Sequence, residues 1–167
     1  CIATLPEDFY EQMQKEGINC VPCNKFKPIL SHIHNNRDHR KIMVIDGDVA
    51  YNGGINLADE YINRKEVYGH WKDTGVRLSG SAAWSFTAMF LEMWNAFRKT
   101  DSDIAKFRPS LKNIPSNAKG YVQPYSDTPT DNEPLGENVY IEMLSRAEKY
   151  AYVFTPYLIL DNELRTA

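Results

Sequence analysis

The clearest periodic pattern in the chain is the run of apolar residues within Ser81–Arg98. Side chains three or four positions apart share one face of an α-helix, so this spacing predicts a helix. The apolar positions cover much of its circumference, and we expect it to be buried on more than one side. They form two stripes, one of Phe86, Phe90, Met93 and Phe97 and the other of Trp84, Ala88 and Leu91.

Alternation of side chains predicts the strands. Residues 40–45 alternate and are rich in Ile, Met and Val, and residues 72–78 alternate as well. Asp46 and Gly47 are a tight-turn signal, so residues 49–52 are predicted to return beside the first strand. Three further elements are predicted: a helix that begins at a capping box of Thr4 and Glu7 and ends at Gly17, a strand at 18–22, and a helical turn within 56–62.

A second unit is predicted after residues 99–118, a polar segment with Pro109 and Pro115 that is interpreted as a linker. The predicted domains are therefore 1–98, the linker 99–118, and 119–167. The order of strands and helices predicts an α/β fold. In the second unit the predicted elements are a strand at 121–125, a helix at 138–149, a strand at 150–154 and a final helix capped by Asp161.

Composition limits the classes of function. Of the 167 residues, 43% are hydrophobic and 12% aromatic, which is typical of a folded domain. The net charge of −3 gives no sign of a nucleic-acid partner. Three cysteines do not suggest a disulfide framework, and no apolar run approaches the ~20 residues of a membrane span. Basic residues nevertheless cluster between Lys25 and Lys41, where they would attract an anion.

The candidate chemistry lies in the pattern H-x-K-x4-D-x6-G-G-x-N, which His39 begins. A histidine and a lysine two positions apart on a strand point to the same face. A neutral imidazole there can attack a phosphorus atom while a fixed ammonium neutralises the phosphoryl oxygens. The remaining members of the pattern are Lys41, Asp46, Gly53, Gly54 and Asn56.

This pattern resembles the signature of the phospholipase D superfamily, and the segments around it resemble the bacterial cardiolipin synthase family. The likeness extends over the segment GGINLADEY at 53–61, residues 71–80 with Trp71 and Asp73, the long helix, and residues 152–157. It implies a mixed sheet flanked by helices, forming one truncated half of a pseudo-two-fold pair. It also implies a phosphatidyltransferase that transfers a phosphatidyl group between phosphatidylglycerol molecules through a phosphohistidine, without metal or cofactor.

The resemblance also implies roles for single residues. His39 would be the nucleophile, and Lys41 would bind the phosphoryl oxygens together with Asn56. Gly53 and Gly54 would let the backbone approach the phosphate. Asp46 would support the structure rather than touch substrate. Asp73 would orient His39, because a catalytic histidine needs an acceptor on its second nitrogen.

The chain departs from the family in two respects. Gly54 stands where many superfamily members carry serine, and one copy of the motif is present where the family uses two. We therefore expect a piece of a longer protein, whose second motif lies beyond Ala167 and whose parent acts at the cytoplasmic side of the bacterial cell membrane. The isolated piece is expected to be soluble, nearly inactive, and able to homodimerise.

Other interpretations remain open. Cys20, Cys23, His32 and His34 are possible ligands of a zinc-binding module, although no second compact pair follows. A phospholipase D-type phosphodiesterase or nuclease would share the motif, but the acidic net charge argues against nucleic acid. A phosphate-binding fragment without chemistry is a further alternative. The pattern does not decide between synthase and hydrolase, because either water or an alcohol can open a phosphohistidine.

Overall fold

The computed structural model describes residues 5–23, 38–109, 119–128, 131–155 and 159–167. The chain forms two compact units, Cys1–Pro124 and Tyr125–Ala167. The first contains α1 (Phe9–Lys15), β1 (Ile42–Ile45), β2 (Val49–Gly53), β3 (Gly75–Ser79) and α2 (Ser81–Arg98), with short 3-10 helices at Asp59–Ile62 and Ile104–Phe107. The second contains α3 (Leu135–Ser145) and α4 (Asn162–Thr166).

The sheet of the first unit has the order β1-β2-β3, and both pairs of strands are antiparallel. A tight turn joins β1 to β2, with the Asp48 N–H donating to the Ile45 carbonyl at 3.0 Å. Both central residues have positive φ, 52° at Asp46 and 69° at Gly47. Positive φ at both positions matches the right-handed twist of a hairpin, which explains why an Asp-Gly pair stands here.

The core lies between one face of this sheet and α2. Ala50 and Ala83 are completely buried, and Phe86 is nearly so. Alternation along β1 places Val44 against this core and leaves Met43 exposed on the opposite face. Ile42, Leu78 and Met89 complete the packing around the buried residues. The two alanines let the helix approach the sheet closely.

Several predicted elements are confirmed. The long helix occupies Ser81–Arg98, as its periodicity predicts, and the hairpin forms with the predicted turn. The turn within 56–62 is the 3-10 helix Asp59–Ile62. The outer strands are shifted: β1 begins at Ile42 rather than residue 40, and β3 covers Gly75–Ser79 rather than 72–78. The polar groups just before each strand bind side chains instead of a neighbouring strand, as described below.

The predicted cap of the last helix is confirmed, whereas the capping box predicted for the first helix lies partly outside the described residues. Helix α1 begins after Asp8, whose side chain makes no capping bond, and Thr4 of the predicted capping box lies outside the described residues. Gly17 ends the helix with φ +80°. Asp161 caps α4 as predicted, because its carboxylate accepts a hydrogen bond from the Leu164 N–H.

Three predicted strands are wrong. Residues 18–22, 121–125 and 150–154 are described and form no strand. A strand requires a neighbour to satisfy its backbone groups, and among the described residues these runs pair with none. Tyr121 and Phe154 are accordingly almost fully exposed. In the second unit, α3 begins at Leu135 and ends at Ser145, which corrects the predicted range of 138–149.

The predicted α/β class is confirmed in its coarse form, since helices pack on a sheet. The sheet differs from the predicted mixed one, because the described residues contain antiparallel pairs only. Within the predicted linker, the 3-10 helix Ile104–Phe107 packs against α2, and the Asp103 side chain caps it. The division at 99–118 stays a prediction. Across the described ranges, no helix has both the length and the apolar character needed to cross a bilayer.

Candidate functional site

The segment that carries His39 is attached to the core by its neighbours. The Arg40 guanidinium donates to the Asp38 carboxylate from Nε at 3.0 Å and from Nη2 at 2.8 Å, and the Arg40 backbone N–H adds a third bond at 3.0 Å. These bonds lower the pKa of Asp38. Arg40 Nη2 also lies 3.4 Å from the Met93 sulfur on α2. The pair therefore holds the backbone on both sides of an exposed His39.

Lys41 is half-buried just before β1. On either side of it, Arg40 contacts Met93 on α2 and Ile42 packs against the core. Its ammonium donates to the His39 carbonyl at 2.6 Å. Burial lowers the pKa of Lys41, while the carboxylates of Asp38 and Asp73 oppose that shift. The Lys41 ammonium therefore lies against the backbone of His39. The predicted approach of the ammonium to the imidazole stays a prediction.

Asp73, just before β3, accepts hydrogen bonds from three donors. The Trp71 indole Nε1–H donates to Oδ2 at 3.0 Å, and the Thr74 backbone N–H donates to Oδ1 at 2.8 Å. The Gly54 backbone N–H is the third donor. The indole bond is the largest cause that lowers the pKa of Asp73, and the Lys41 charge acts in the same direction. The carboxylate is thus fixed in its ionised form beside the glycine pair.

Both glycines of the pair are required by close contacts. A Cβ on Gly54 would lie 2.7 Å from Asp73 Oδ1, so a side chain there would displace the carboxylate. A Cβ on Gly53 would lie 2.8 Å from the Thr74 carbonyl oxygen, where β2 and β3 pair. Asn56 follows this turn and is half-buried. Within the described part of the chain, its side-chain amide has no hydrogen-bond partner.

The structure brings together some of the predicted site residues and not others. Lys41, Gly53, Gly54 and Asp73 meet at one end of the sheet, with His39 beside Lys41. Asp46 lies in the hairpin turn at the other end of β1, about 16 Å from Lys41 along the strand. Among the described residues, the His39 imidazole forms no hydrogen bond with Asp73. The predicted orienting contact therefore has no geometric support here.

Sequence reasoning did not identify several residues that build this site. Arg40 has no role in the motif, although an Asp-x-Arg spacing beside a strand is a usable signal for a local ion pair. Trp71 stands out in the sequence only as part of the segment that resembles the family. Its backbone is held by Asn63, whose side-chain amide donates to the Trp71 carbonyl at 2.8 Å and whose Oδ1 accepts from the Trp71 N–H at 2.6 Å. No local pattern predicts a pair of bonds across eight residues.

Two groups offer ligand atoms of the kinds that metals bind. Cys20 and Cys23 are half-buried free thiols, and burial raises the pKa of Cys23. Their predicted partners, His32 and His34, lie outside the described residues. In the second unit, the carboxylates of Glu137, Asp161 and Glu163 lie within 4.8 Å of one another. Asp161 is already used as the cap of α4.

Comparisons with known proteins bear on the whole chain. It is 49% identical over 166 residues to an uncharacterised protein of Streptococcus mutans serotype c, a match that covers 99% of this chain and 36% of that protein. It is 34% identical to a cardiolipin synthase of Listeria innocua serovar 6a, and 30% identical to a cardiolipin synthase of Halalkalibacterium halodurans. These two matches cover 98% of this chain but 34% and 32% of the relatives.

No protein-family model matches the chain, and no solved structure matches it. The chain spans about a third of the length of the curated relatives it matches. The relatives nevertheless confirm the resemblance to bacterial cardiolipin synthases that the motif indicates. Along nearly all of its length, the chain is similar to one segment of proteins that carry this name.

Proposed function

We propose that this chain supplies one half of the phosphate site of a phosphatidyltransferase of the cardiolipin synthase type. The observation that carries the proposal is the grouping of Lys41, the Gly53–Gly54 turn and Asp73 at the sheet end where His39 is exposed. An ammonium attracts a phosphodiester, and an accessible imidazole on a neighbouring residue can attack it. Relatives named cardiolipin synthase point to phospholipid as the substrate.

In the proposed first step, an imidazole nitrogen of His39 attacks the phosphorus of phosphatidylglycerol. The new N–P bond forms as the bond from phosphorus to the glycerol oxygen breaks, and glycerol leaves with a proton from a second general acid. A hydroxyl of another phosphatidylglycerol then loses its proton to that same group and attacks the phosphohistidine. The P–N bond breaks, cardiolipin is released and His39 is regenerated.

The other residues act on the phosphoryl oxygens. Lys41 stabilises the negative charge that grows on them in the transition state, and the Asn56 amide donates to the same oxygens. Gly53 and Gly54 let this end of the sheet pack against Thr74 and Asp73, where side chains would collide. The half-buried position of Lys41 strengthens its effect, because a charge acts more strongly where water is partly excluded.

The general acid and the second set of phosphate ligands belong, in this proposal, to a second half related by a pseudo-two-fold axis. We place that half in the part of the full-length protein that the curated relatives have and this chain does not cover. Membrane association belongs to the same proposal, since the substrate is a lipid. Homodimerisation of the isolated chain stays a prediction, which light scattering at high concentration tests.

The central experiment traps the covalent intermediate in the full-length natural protein. Phosphatidylglycerol labelled in its phosphate is mixed with the protein in detergent micelles, and the reaction is quenched in base, which preserves phosphohistidine. We expect label on the wild-type protein, none on His39→Asn, and full labelling of the control His70→Asn, which changes another exposed histidine. Label retained by His39→Asn would overturn the assignment of the nucleophile.

A second experiment tests the cation. We expect Lys41→Met to lower kcat by about 10²–10³-fold, the usual effect of removing one donor that stabilises transition-state charge. Lys65→Met, which removes an exposed lysine from a loop of the same unit, should leave kcat unchanged. Lipid products are separated in the same assay, because cardiolipin indicates an alcohol acceptor whereas phosphatidic acid indicates water.

A further inference from the structure

We propose that Trp71 is a positioning residue of this site, whose indole N–H holds the Asp73 carboxylate on the Gly54 and Thr74 backbone and so prevents it from pairing with Lys41. The inference rests on the proposed function for its catalytic consequence. Its geometric basis is independent of that function, because it concerns bonds within the chain. It gives Asp73 a role different from the orientation of His39.

Hydrogen bonds fix the direction of the Asp73 carboxylate. Asp73 accepts from the Trp71 indole through Oδ2 at 3.0 Å, and from the Thr74 N–H through Oδ1 at 2.8 Å. The Gly54 N–H adds a third bond. Charge-assisted bonds of this kind are among the stronger ones in proteins, and three of them leave the carboxylate little freedom to rotate. Oδ1 and Oδ2 therefore each accept at least one hydrogen bond.

Asp73 lies close enough to Lys41 for their opposite charges to interact. The two charges act on each other's pKa, yet no ion pair joins Lys41 to Asp73 among the residues that the structure describes. A carboxylate released from its donors would be drawn to the nearby ammonium. Pairing would neutralise the cation that an incoming phosphate needs. The donors of Asp73 therefore keep the Lys41 ammonium available to substrate.

The Trp71 indole is itself held in place by its neighbours. Asn63 holds the Trp71 backbone through bonds of 2.8 and 2.6 Å, and adopts the left-handed conformation with φ 58° to do so. The Tyr61 ring packs edge-on against the Trp71 ring, with centroids 4.8 Å apart. Such a held side chain is what a positioning role requires, since a mobile donor would not fix its acceptor.

Gly54, which departs from the family pattern, belongs to the same arrangement. The space beside Gly54 that a serine side chain would need is occupied by Asp73 Oδ1, 2.7 Å from the position of a Cβ. In this chain the carboxylate and a side chain at position 54 exclude one another. Gly54 is therefore part of the same arrangement as Trp71 rather than only an opening for the phosphate.

The kinetic test uses Trp71→Phe in the full-length natural protein, because phenylalanine keeps the ring against Tyr61 and removes only the N–H donor. Trp94→Phe, on α2, is the control. We expect Trp71→Phe to lower kcat/KM for phosphatidylglycerol about tenfold at neutral pH, equivalent to about 1.4 kcal/mol of transition-state stabilisation. The loss should diminish as the pH falls far enough to protonate Asp73, because a neutral carboxyl group no longer pairs with the Lys41 ammonium.

The same assay includes the double variant. If Asp73 neutralises Lys41 once the indole is lost, Asp73→Asn should cost less in the Trp71→Phe background than in the wild type. Additive effects, or a Trp71→Phe profile identical to that of wild type, would overturn the proposal. A loss of kcat/KM that is the same at every pH would also overturn it, because a purely structural role predicts that result.

A spectroscopic measurement on this chain separates the two proposals. The chain has three tryptophans, so a ¹⁵N-labelled sample gives three indole N–H signals. Asp73→Asn should shift the Trp71 signal, assigned by its absence in Trp71→Phe, and leave those of Trp84 and Trp94 in place. An unshifted Trp71 signal would overturn the positioning role. If the shift occurs but the full-length protein forms no phosphoenzyme, the proposed function fails while the contact stands.

Discussion

The two units of the chain differ in how deeply their longest helices are buried. In the first unit, α2 packs on the sheet and buries Phe86 and Leu91, and Ala50 is sealed beneath it. In the second unit, α3 and α4 contain no buried residue. Both units have regular helices, so helix formation does not distinguish them. The difference is the sheet, which gives the apolar face of α2 a partner.

The comparison shows why some sequence predictions hold and others do not. A helix satisfies its own backbone hydrogen bonds, so a periodic apolar pattern is enough to predict it. A strand depends on a neighbour, and the runs at 121–125 and 150–154 have none in the described residues. The hairpin of β1 and β2 is predicted correctly because its neighbour is only a turn away.

The largest expected difference between the units is in the cost of removing an aromatic ring from a helix. Phe86→Ala should lower the free energy of unfolding by about 3–4 kcal/mol, because it leaves a cavity between α2 and the sheet. Tyr140→Ala on α3, where the side chain is 46% exposed, should cost about 0.5 kcal/mol or less. Urea unfolding followed by circular dichroism measures both. Equal costs would remove the contrast between the units.

The second prediction tests how far the packed region extends along the chain. Gly47 has φ +69°, and a Cβ there would lie 2.7 Å from the Phe107 carbonyl oxygen. Gly47→Ala should therefore cost about 2–3 kcal/mol, the sum of backbone strain and overpacking. Gly69 has φ +82° with nothing near it, so Gly69→Ala carries the strain alone, about 1 kcal/mol. Equal losses in urea unfolding would show that the turn does not pack on residues 104–109.

The third prediction compares one ion pair from each unit. The Asp38–Arg40 pair is partly shielded and doubly bonded, so Asp38→Asn should cost about 1 kcal/mol at pH 7. The exposed pair of Glu142 and Arg146 on α3 should contribute about 0.3 kcal/mol, which Glu142→Gln measures.

The lowered pKa of Asp38 determines how the cost of Asp38→Asn changes with pH. The hydrogen bonds from Arg40 lower the pKa of Asp38 in the folded state. The contribution is therefore complete above the ordinary aspartate pKa of about 3.9 and is lost as the pH falls through the lower folded value. Unfolding curves of wild type and Asp38→Asn should differ at pH 7 and converge in acid. A constant difference across this range would contradict the ion-pair explanation.

The smallest expected effect belongs to the acidic cluster of the second unit. The hydrogen bond with Asp161 is the first cause that raises the pKa of Glu137, and the charges of Asp161 and Glu163 act in the same direction. A raised folded pKa means that ionised Glu137 disfavours the folded state above that pKa. Glu137→Gln should therefore raise the thermal midpoint slightly at pH 7, and not below the ordinary glutamate pKa of about 4.3. A lower midpoint at pH 7 would show that the ionised cluster is stabilising.

Only part of the site was predictable from the sequence, namely the contacts between residues that are close along the chain. The proximity of His39 and Lys41 follows from their separation by one residue, and the hairpin turn follows from Asp46 and Gly47. The contact between Gly54 and Asp73 joins groups nineteen positions apart and depends on the pairing of β2 with β3. The bonds from Asn63 to Trp71 need a left-handed residue after a 3-10 helix, and no periodicity indicates such a residue.

The sequence by itself determined the long helix, the hairpin and the motif that resembles the phospholipase D superfamily, because each depends on residues that are neighbours along the chain. The tertiary structure alone decided which apolar runs became strands and where the Asp73 carboxylate points. Both depend on partners that are distant in sequence, and a pattern along one segment carries no information about whether such a partner is present. For the same reason α2 is buried and α3 is not, since among the described residues only α2 has a sheet to pack against.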